Sequence, residues 1–191
     1  MEVVGSRREV TVSMVQANAF SLVTVLPLVA RFYYSFVNWW GFALLARGVD
    51  LIFENVSLSF FCLVLGVIVH ELIHGLTWSI LGGHPHRAIR YGIQWRTLTP
   101  FAHCTMPLPA RAYRVGALLP GLLLGVAPAL AGIDNGNGAL FVFGLLFTAA
   151  AGGDFLVVWL LRGVHPDSRL EDHPTRAGCI VLEPKPAKIG R

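Results

Sequence analysis

Between residues 56 and 81 the chain is apolar apart from His70, Glu71 and His74. A helix of that length can cross a hydrocarbon core of roughly 30 Å, which takes about 20 residues. Two further runs share the property: residues 115–133 carry no charge, and residues 138–161 carry only Asp154. A fourth run, residues 18–46, is long and aromatic but interrupted by Arg31. It reads either as one long tilted helix or as a span followed by an interfacial segment. Composition supports the bilayer: 54% of residues are hydrophobic and only 14% charged, against about 25% charged in soluble domains. Mean hydropathy is +0.61. Such a chain cannot clothe a water-facing surface. Disorder is excluded for most of its length, and so is a disulfide scaffold, because Cys62, Cys104 and Cys179 lie far apart with no CxxC pair.

The expected fold is therefore an all-α polytopic membrane protein of about four transmembrane helices. Four spans put residues 1–17, the loop 82–114 and the tail 163–191 on one side. That side receives Arg7 and Arg8, five arginines from Arg87 to Arg114 and six basic residues from Arg162 to Arg191, thirteen in all, whereas the other side receives only Arg47. This asymmetry predicts a multi-pass protein of the cell membrane with both termini cytoplasmic. It also accounts for a net charge of +4 without invoking nucleic acid. No A-x-A site follows the first apolar run, so a cleavable signal peptide is not expected. The membrane-embedded domain is residues 18–162, flanked by a cytoplasmic N-terminal segment, 1–17. The tail 163–191, with Pro166, Pro174, Pro184 and Pro186, reads as having little regular structure.

Chemistry enters with His70-Glu71-Leu72-Ile73-His74. Helical positions i and i+4 differ by about 40° around the axis, so both imidazoles face one way and can share a metal. Glu71 lies one step round and can reach a metal-bound water without being a ligand, which makes it the candidate catalytic base. On a soluble helix such a pattern is often a charged surface turn. Inside a span, ionisable residues are costly unless paired, and no Lys or Arg is near in sequence to neutralise Glu71. The expected cofactor is Zn2+, which lowers the pKa of a bound water to about 7.

A catalytic zinc site normally has three protein ligands. Asp154, the one acid of its span, is the best third ligand. His74 lies about 10 Å before the end of its run and Asp154 about 12 Å before the end of its own, measured from the same face. A lone aspartate hydrogen-bonded to a neighbouring helix is the alternative. Gly152-Gly153 beside it predicts close helix approach. His103 and Cys104 are the next candidate ligands. His84 and His86 read as a solvated turn, Cys62 as a buried apolar side chain, and His173 with the acids of 167–172 as water-facing. Arg31 either snorkels to an interface or pairs with Asp154 or Glu54.

In the loop, Ile89, Tyr91, Ile93 and Trp95 alternate with Arg90, Gly92, Gln94 and Arg96. Period two predicts a short β-strand or hairpin after the zinc-motif helix. Its open edge could hold an extended peptide near the metal, or its aromatic residues could anchor it at headgroup depth.

The ordered set resembles a known pattern: 69–75 with its paired histidines, then Thr99-Pro100-Phe101-Ala102-His103-Cys104, Leu119-Pro120 and Gly153-Asp154. It is similar to compact bacterial and archaeal membrane proteins described as zincin peptidases, related to the site-2 intramembrane zinc proteases. The likeness covers about residues 20–175. It implies His70, His74 and Asp154 as zinc ligands, Glu71 as catalytic base and a prokaryotic plasma membrane. Site-2 proteases usually carry an asparagine and proline before an Asp-Gly pair, whereas this chain has Gly152-Gly153-Asp154-Phe155. The function expected is a zinc-dependent endopeptidase acting within or beside the bilayer on a membrane protein or peptide. Two alternatives stay open. One is a non-catalytic zinc-binding protein or sensor, favoured if Cys104 or His103 closes the fourth metal position. The other is a metal transporter, which needs a route to both faces. Four spans are few to enclose such a site, and a homo-oligomer would complete the shield from lipid.

Overall fold

A computed structural model of the chain describes residues 4–95 and 99–184. Strand β1 (Val4–Val12) leads into helix α1 (Met14–Trp40). The start of α1 is fixed by a capping box: the Ser13 hydroxyl accepts from the Gln16 N–H at 3.2 Å, and the Gln16 side chain accepts from the Ser13 N–H at 3.1 Å. Gly41, at φ 81°, ends α1, and α2 (Phe42–Glu54) leaves at 111° to it. Residues 18–46 are therefore a long helix followed by a second, sharply turned segment. The motif helix α3 (Val56–Gly82) stops at Gly83, whose φ of 67° suits only a residue without Cβ strain.

Strands β2 (Ile89–Gln94) and β3 (Thr99–Cys104) form the expected hairpin, with Ile89 opposite Cys104 and Gln94 opposite Thr99. Arg96, at the end of the expected strand, lies outside the described residues. After β4 (Leu108–Pro109), helices α4 (Ala110–Pro120) and α5 (Ala127–Asn135) run on through a π-helical turn, Gly121–Val126. Helix α6 (Gly138–Ala150) begins at Asn137, whose side chain accepts from the Leu140 N–H. Helix α7 (Gly152–Leu160) carries Asp154. Strands β5 (Arg169–Asp172) and β6 (Ala177–Pro184) complete the described chain.

Two helices, Val56–Gly82 and Ala110–Asn135, are long and apolar enough to cross a membrane. The bent pairs α1–α2 and α6–α7, the latter broken by 41°, bring the number to as many as four. Only 11% of the most apolar window of α3 is buried. Its Phe60, Phe61 and Leu65 point outward, as befits a surface solvated by lipid. Cys62 shares that exposure rather than the buried place expected for it. Arg31 is exposed too, and its guanidinium donates to the Ser35 hydroxyl one turn on at 2.8 Å. No contact to Asp154 or Glu54 is made.

The protein is mostly helical, but all-α is a correction to make: a second sheet stands beside the hairpin, in the order β1-β6-β5-β4. The tail expected to lack regular structure supplies two of its strands. Antiparallel pairing sets Val12 opposite Ala177 and Val10 opposite Cys179, so the first and last described strands are neighbours. An ion pair between Arg7 and Glu171 joins β1 to β5 across β6. Beneath this sheet, Trp78, Cys104, Leu108, Tyr113, Leu161, Leu170, Cys179 and Val181 share one core. A second core packs α1, α2, α5 and α6 around Phe36 and Phe141, whose rings stack at 4.5 Å.

Candidate metal centre

His70 and His74 project from one face of α3, and both are buried, at 8% and 5% exposure. Asp154, from α7, reaches between them. Its Oδ2 lies 3.2 Å from His70 Nε2 and its Oδ1 3.5 Å from His74 Nε2. These atoms form the one group of three or more metal-capable side chains among the described residues, all within 4.8 Å of one another. Ligands at zinc-bond distances of about 2.0–2.1 Å in a tetrahedron stand about 3.4 Å apart. Each separation, one to each carboxylate oxygen, is close to that length, and two imidazoles with a carboxylate are an ordinary donor set for the metal.

The orientation of His74 follows from a proline. Pro120 has no N–H, so the Gly116 carbonyl in the preceding turn of α4 lacks its helical partner. His74 Nδ1 takes it, at 2.8 Å, which leaves Nε2 with its lone pair towards Asp154. One turn along α3, the Trp78 indole N–H donates to the Tyr113 carbonyl at 3.1 Å. The His74, Trp78 and Tyr113 rings stack in sequence, with centroids 5.2 and 5.1 Å apart. Gly116 permits the approach, because a Cβ there would collide with the Trp78 ring. Helix α7 is fixed in turn by Arg114, whose guanidinium donates to the Leu161 and Val164 carbonyls beyond its C-terminal end.

Glu71 is half-buried and accepts a hydrogen bond from the Ala102 backbone N–H on β3. It shares with His70, His74 and Asp154 a cavity of about 460 Å³. The strand lining that cavity is β3, through residues 99–103, whereas β2 contributes only Gln94. The hairpin is thus reversed relative to the expectation that the 89–96 strand faces the metal. Gly153 lines the cavity as well, and a Cβ there would meet nothing within 4 Å. It opens space beside Asp154 rather than letting helices close.

Cys104 is turned away. Its Sγ donates to the Met106 carbonyl at 3.3 Å, and burial pushes its thiol pKa up, as it does more strongly for Cys179. Neither cysteine joins the His70, His74 and Asp154 group. His84 contacts the Pro107 carbonyl and His86 the Tyr91 hydroxyl, at 3.1 and 3.3 Å. His103 and His173 both line the cavity. Asp172, expected in water, is a buried member of the same wall, its side chain only 10% exposed. It accepts from the Cys104 N–H at 2.9 Å and from the Tyr113 hydroxyl. Burial pushes its carboxyl pKa up against the pull of these bonds. The one hint in the sequence was the apolar run Cys179-Ile180-Val181-Leu182, a strand signal that brings Asp172 with it.

A family model described as "Putative zincin peptidase" matches residues 63–169, from early in α3 to the start of β5. The chain belongs to this family. No curated protein and no solved structure matches it. In this zincin-family chain the matched region contains His70, Glu71, His74 and Asp154, together with Gly116 and Pro120. Asp172, His173 and strand β6, which wall the cavity from outside that region, are contributed by the tail.

Proposed function

We propose that this protein is a zinc-dependent endopeptidase that hydrolyses a peptide bond within or beside the bilayer. His70, His74 and Asp154 would hold the metal, and Glu71 would act as general base. The observation that carries this reading is the trio of donor atoms within 4.8 Å of one another, drawn from two helices and facing a cavity that also holds Glu71. Zinc bound there would supply a Lewis acid for the scissile carbonyl and for the attacking water.

The chain supplies the rest. The Gly116 carbonyl holds His74 in the tautomer that presents Nε2. Glu71 takes the proton of the attacking water and passes it to the departing amine. Substrate, a peptide or membrane-protein segment, would lie along β3. On that edge Pro100 has no N–H, and the N–H groups of Ala102 and Cys104 are engaged by Glu71 and Asp172. A strand pairing there takes the Ala102 N–H from Glu71 and so frees the base as substrate arrives. The outward apolar face of α1 and α3 is lipid-facing in this reading, with both termini cytoplasmic.

The test is metal content per chain in detergent-purified wild type, His74→Ala and Asp154→Asn. About one zinc is expected in wild type, with loss in His74→Ala and marked reduction in Asp154→Asn. Glu71→Gln is expected to keep its zinc and lose peptidase activity by about 10²- to 10⁴-fold. Well-folded wild type that takes up no zinc when it is offered would overturn the proposal.

A further inference from the structure

Besides the metal trio and Glu71, the cavity wall holds ionisable side chains for which hydrolysis as described has no use. His173 is occupied within its own turn, its Nδ1 accepting from the N–H groups of Thr175 and Arg176 at 3.2 and 3.0 Å. His103 differs. It follows Ala102, whose N–H reaches Glu71, so one short stretch of β3 serves both groups. Its Nδ1 lies 3.4 Å from Asp172 Oδ2, and its side chain is 31% exposed. Among the described residues its Nε2 makes no hydrogen bond. Asp172 is held from two other directions, by the Cys104 N–H and the Tyr113 hydroxyl. A carboxylate so anchored stands at ion-pair distance from one imidazole nitrogen of a residue that lines the cavity, an arrangement that orients a working histidine.

We propose that His103 is a further catalytic residue, donating a hydrogen bond to the scissile carbonyl oxygen as negative charge develops there, with Asp172 as its positioning residue. This rests on the peptidase reading. As the water oxygen bonds to the carbonyl carbon, the π electron pair of the C=O bond moves onto oxygen. His103 Nε2–H meets that charge, and no bond to the ring forms. The proton taken by Glu71 goes to the amine nitrogen as the C–N bond breaks and the carbonyl is restored. Donation at Nε2 while Nδ1–H faces Asp172 requires a hydrogen on both nitrogens. Fixed donors aimed at developing charge are a large source of rate acceleration, and losing one typically costs about 10²- to 10³-fold.

The experiment uses the zinc-loaded full chain in detergent as wild type, His103→Ala, His103→Gln and Asp172→Asn. Three quantities are read: zinc per chain, calorimetric affinity for acetohydroxamate, and affinity for N-phosphoryl-leucyl-phenylalanine. The first ligand needs only the metal, whereas the tetrahedral phosphoryl group of the second presents oxygen where the carbonyl charge develops. Unchanged zinc and acetohydroxamate binding are expected, with the phosphoryl dipeptide weakened about 100-fold in His103→Ala. His103→Gln, which keeps a donor, should recover part of the loss, and Asp172→Asn should fall between. Equal phosphoryl-dipeptide affinity in wild type and both His103 variants overturns the assignment. So does parallel loss of zinc and acetohydroxamate, which marks a structural role. A wild type that binds zinc but neither ligand overturns the peptidase reading itself and leaves His103 no reaction to serve.

Discussion

Pro120 acts on the candidate metal centre through a hydrogen bond that it cannot make. An alanine at 120 would return an N–H to α4, and this N–H would compete with His74 for the Gly116 carbonyl now 2.8 Å from its Nδ1. Pro120→Ala is therefore expected to leave the fold intact and weaken zinc binding about 10- to 100-fold. Competition with a chromogenic chelator reads this directly, and unchanged affinity would dismiss the link. At this scale, legibility divided sharply. The i, i+4 spacing of His70 and His74 places them on one helical face without tertiary information. Asp154 could be aligned with them because two spans entering the same membrane share a depth scale. Asp172 had no such ruler. Nothing local in Arg169-Leu170-Glu171-Asp172 says that the last side chain is buried, since its partners Cys104 and Tyr113 arrive from distant parts of the chain.

Helices α5 and α6 meet at backbone distance. A Cβ on Gly144 would lie 2.6 Å from Ala129 Cα and 2.8 Å from its Cβ, and neither atom can swing aside. Gly144→Ala should cost about 1–3 kcal/mol through overpacking, measured as a lowered melting temperature in detergent. Gly153→Ala is the matched comparison. Its Cβ would meet nothing within 4 Å, so stability should hold or rise slightly, as replacing a helical glycine does where space allows. Glycines of these two kinds look alike in sequence, and of the pair beside Asp154, Gly152 is buried whereas Gly153 has open space. The hairpin was legible from its period-two alternation, but which strand faces the cavity was not. Alternation assigns side chains to two faces of a sheet and says nothing about which edge lies inward.

The four-stranded sheet makes the two ends of the described chain a single structure. Strand β6 lies between β1 and β5, and Val181 and Cys179 sit in the core beneath the site. Deleting residues 173–191 should therefore detach β1, uncover the cavity wall and lower the melting temperature by many degrees. Limited proteolysis should find β1 newly cleavable. A tail without structure would be removed with no such effect. Hydropathy revealed the helices long and apolar enough to cross a membrane, because a bilayer imposes one requirement on every residue within it. It was silent about the sheet, where four prolines in the 163–191 segment argued against order and the deciding contacts span most of the sequence.

The central place of β6 also sets a timetable. Val12 waits for Ala177, its partner across the sheet, while all the helices between them are made. Chains emerge from the ribosome at about 5–20 residues per second, so for some seconds the nascent molecule has its motif helix in place and the wall holding Asp172 absent. Assembled in this order, the proposed peptidase has no finished cleft during its own biogenesis, when unfolded segments of its own chain lie closest to hand.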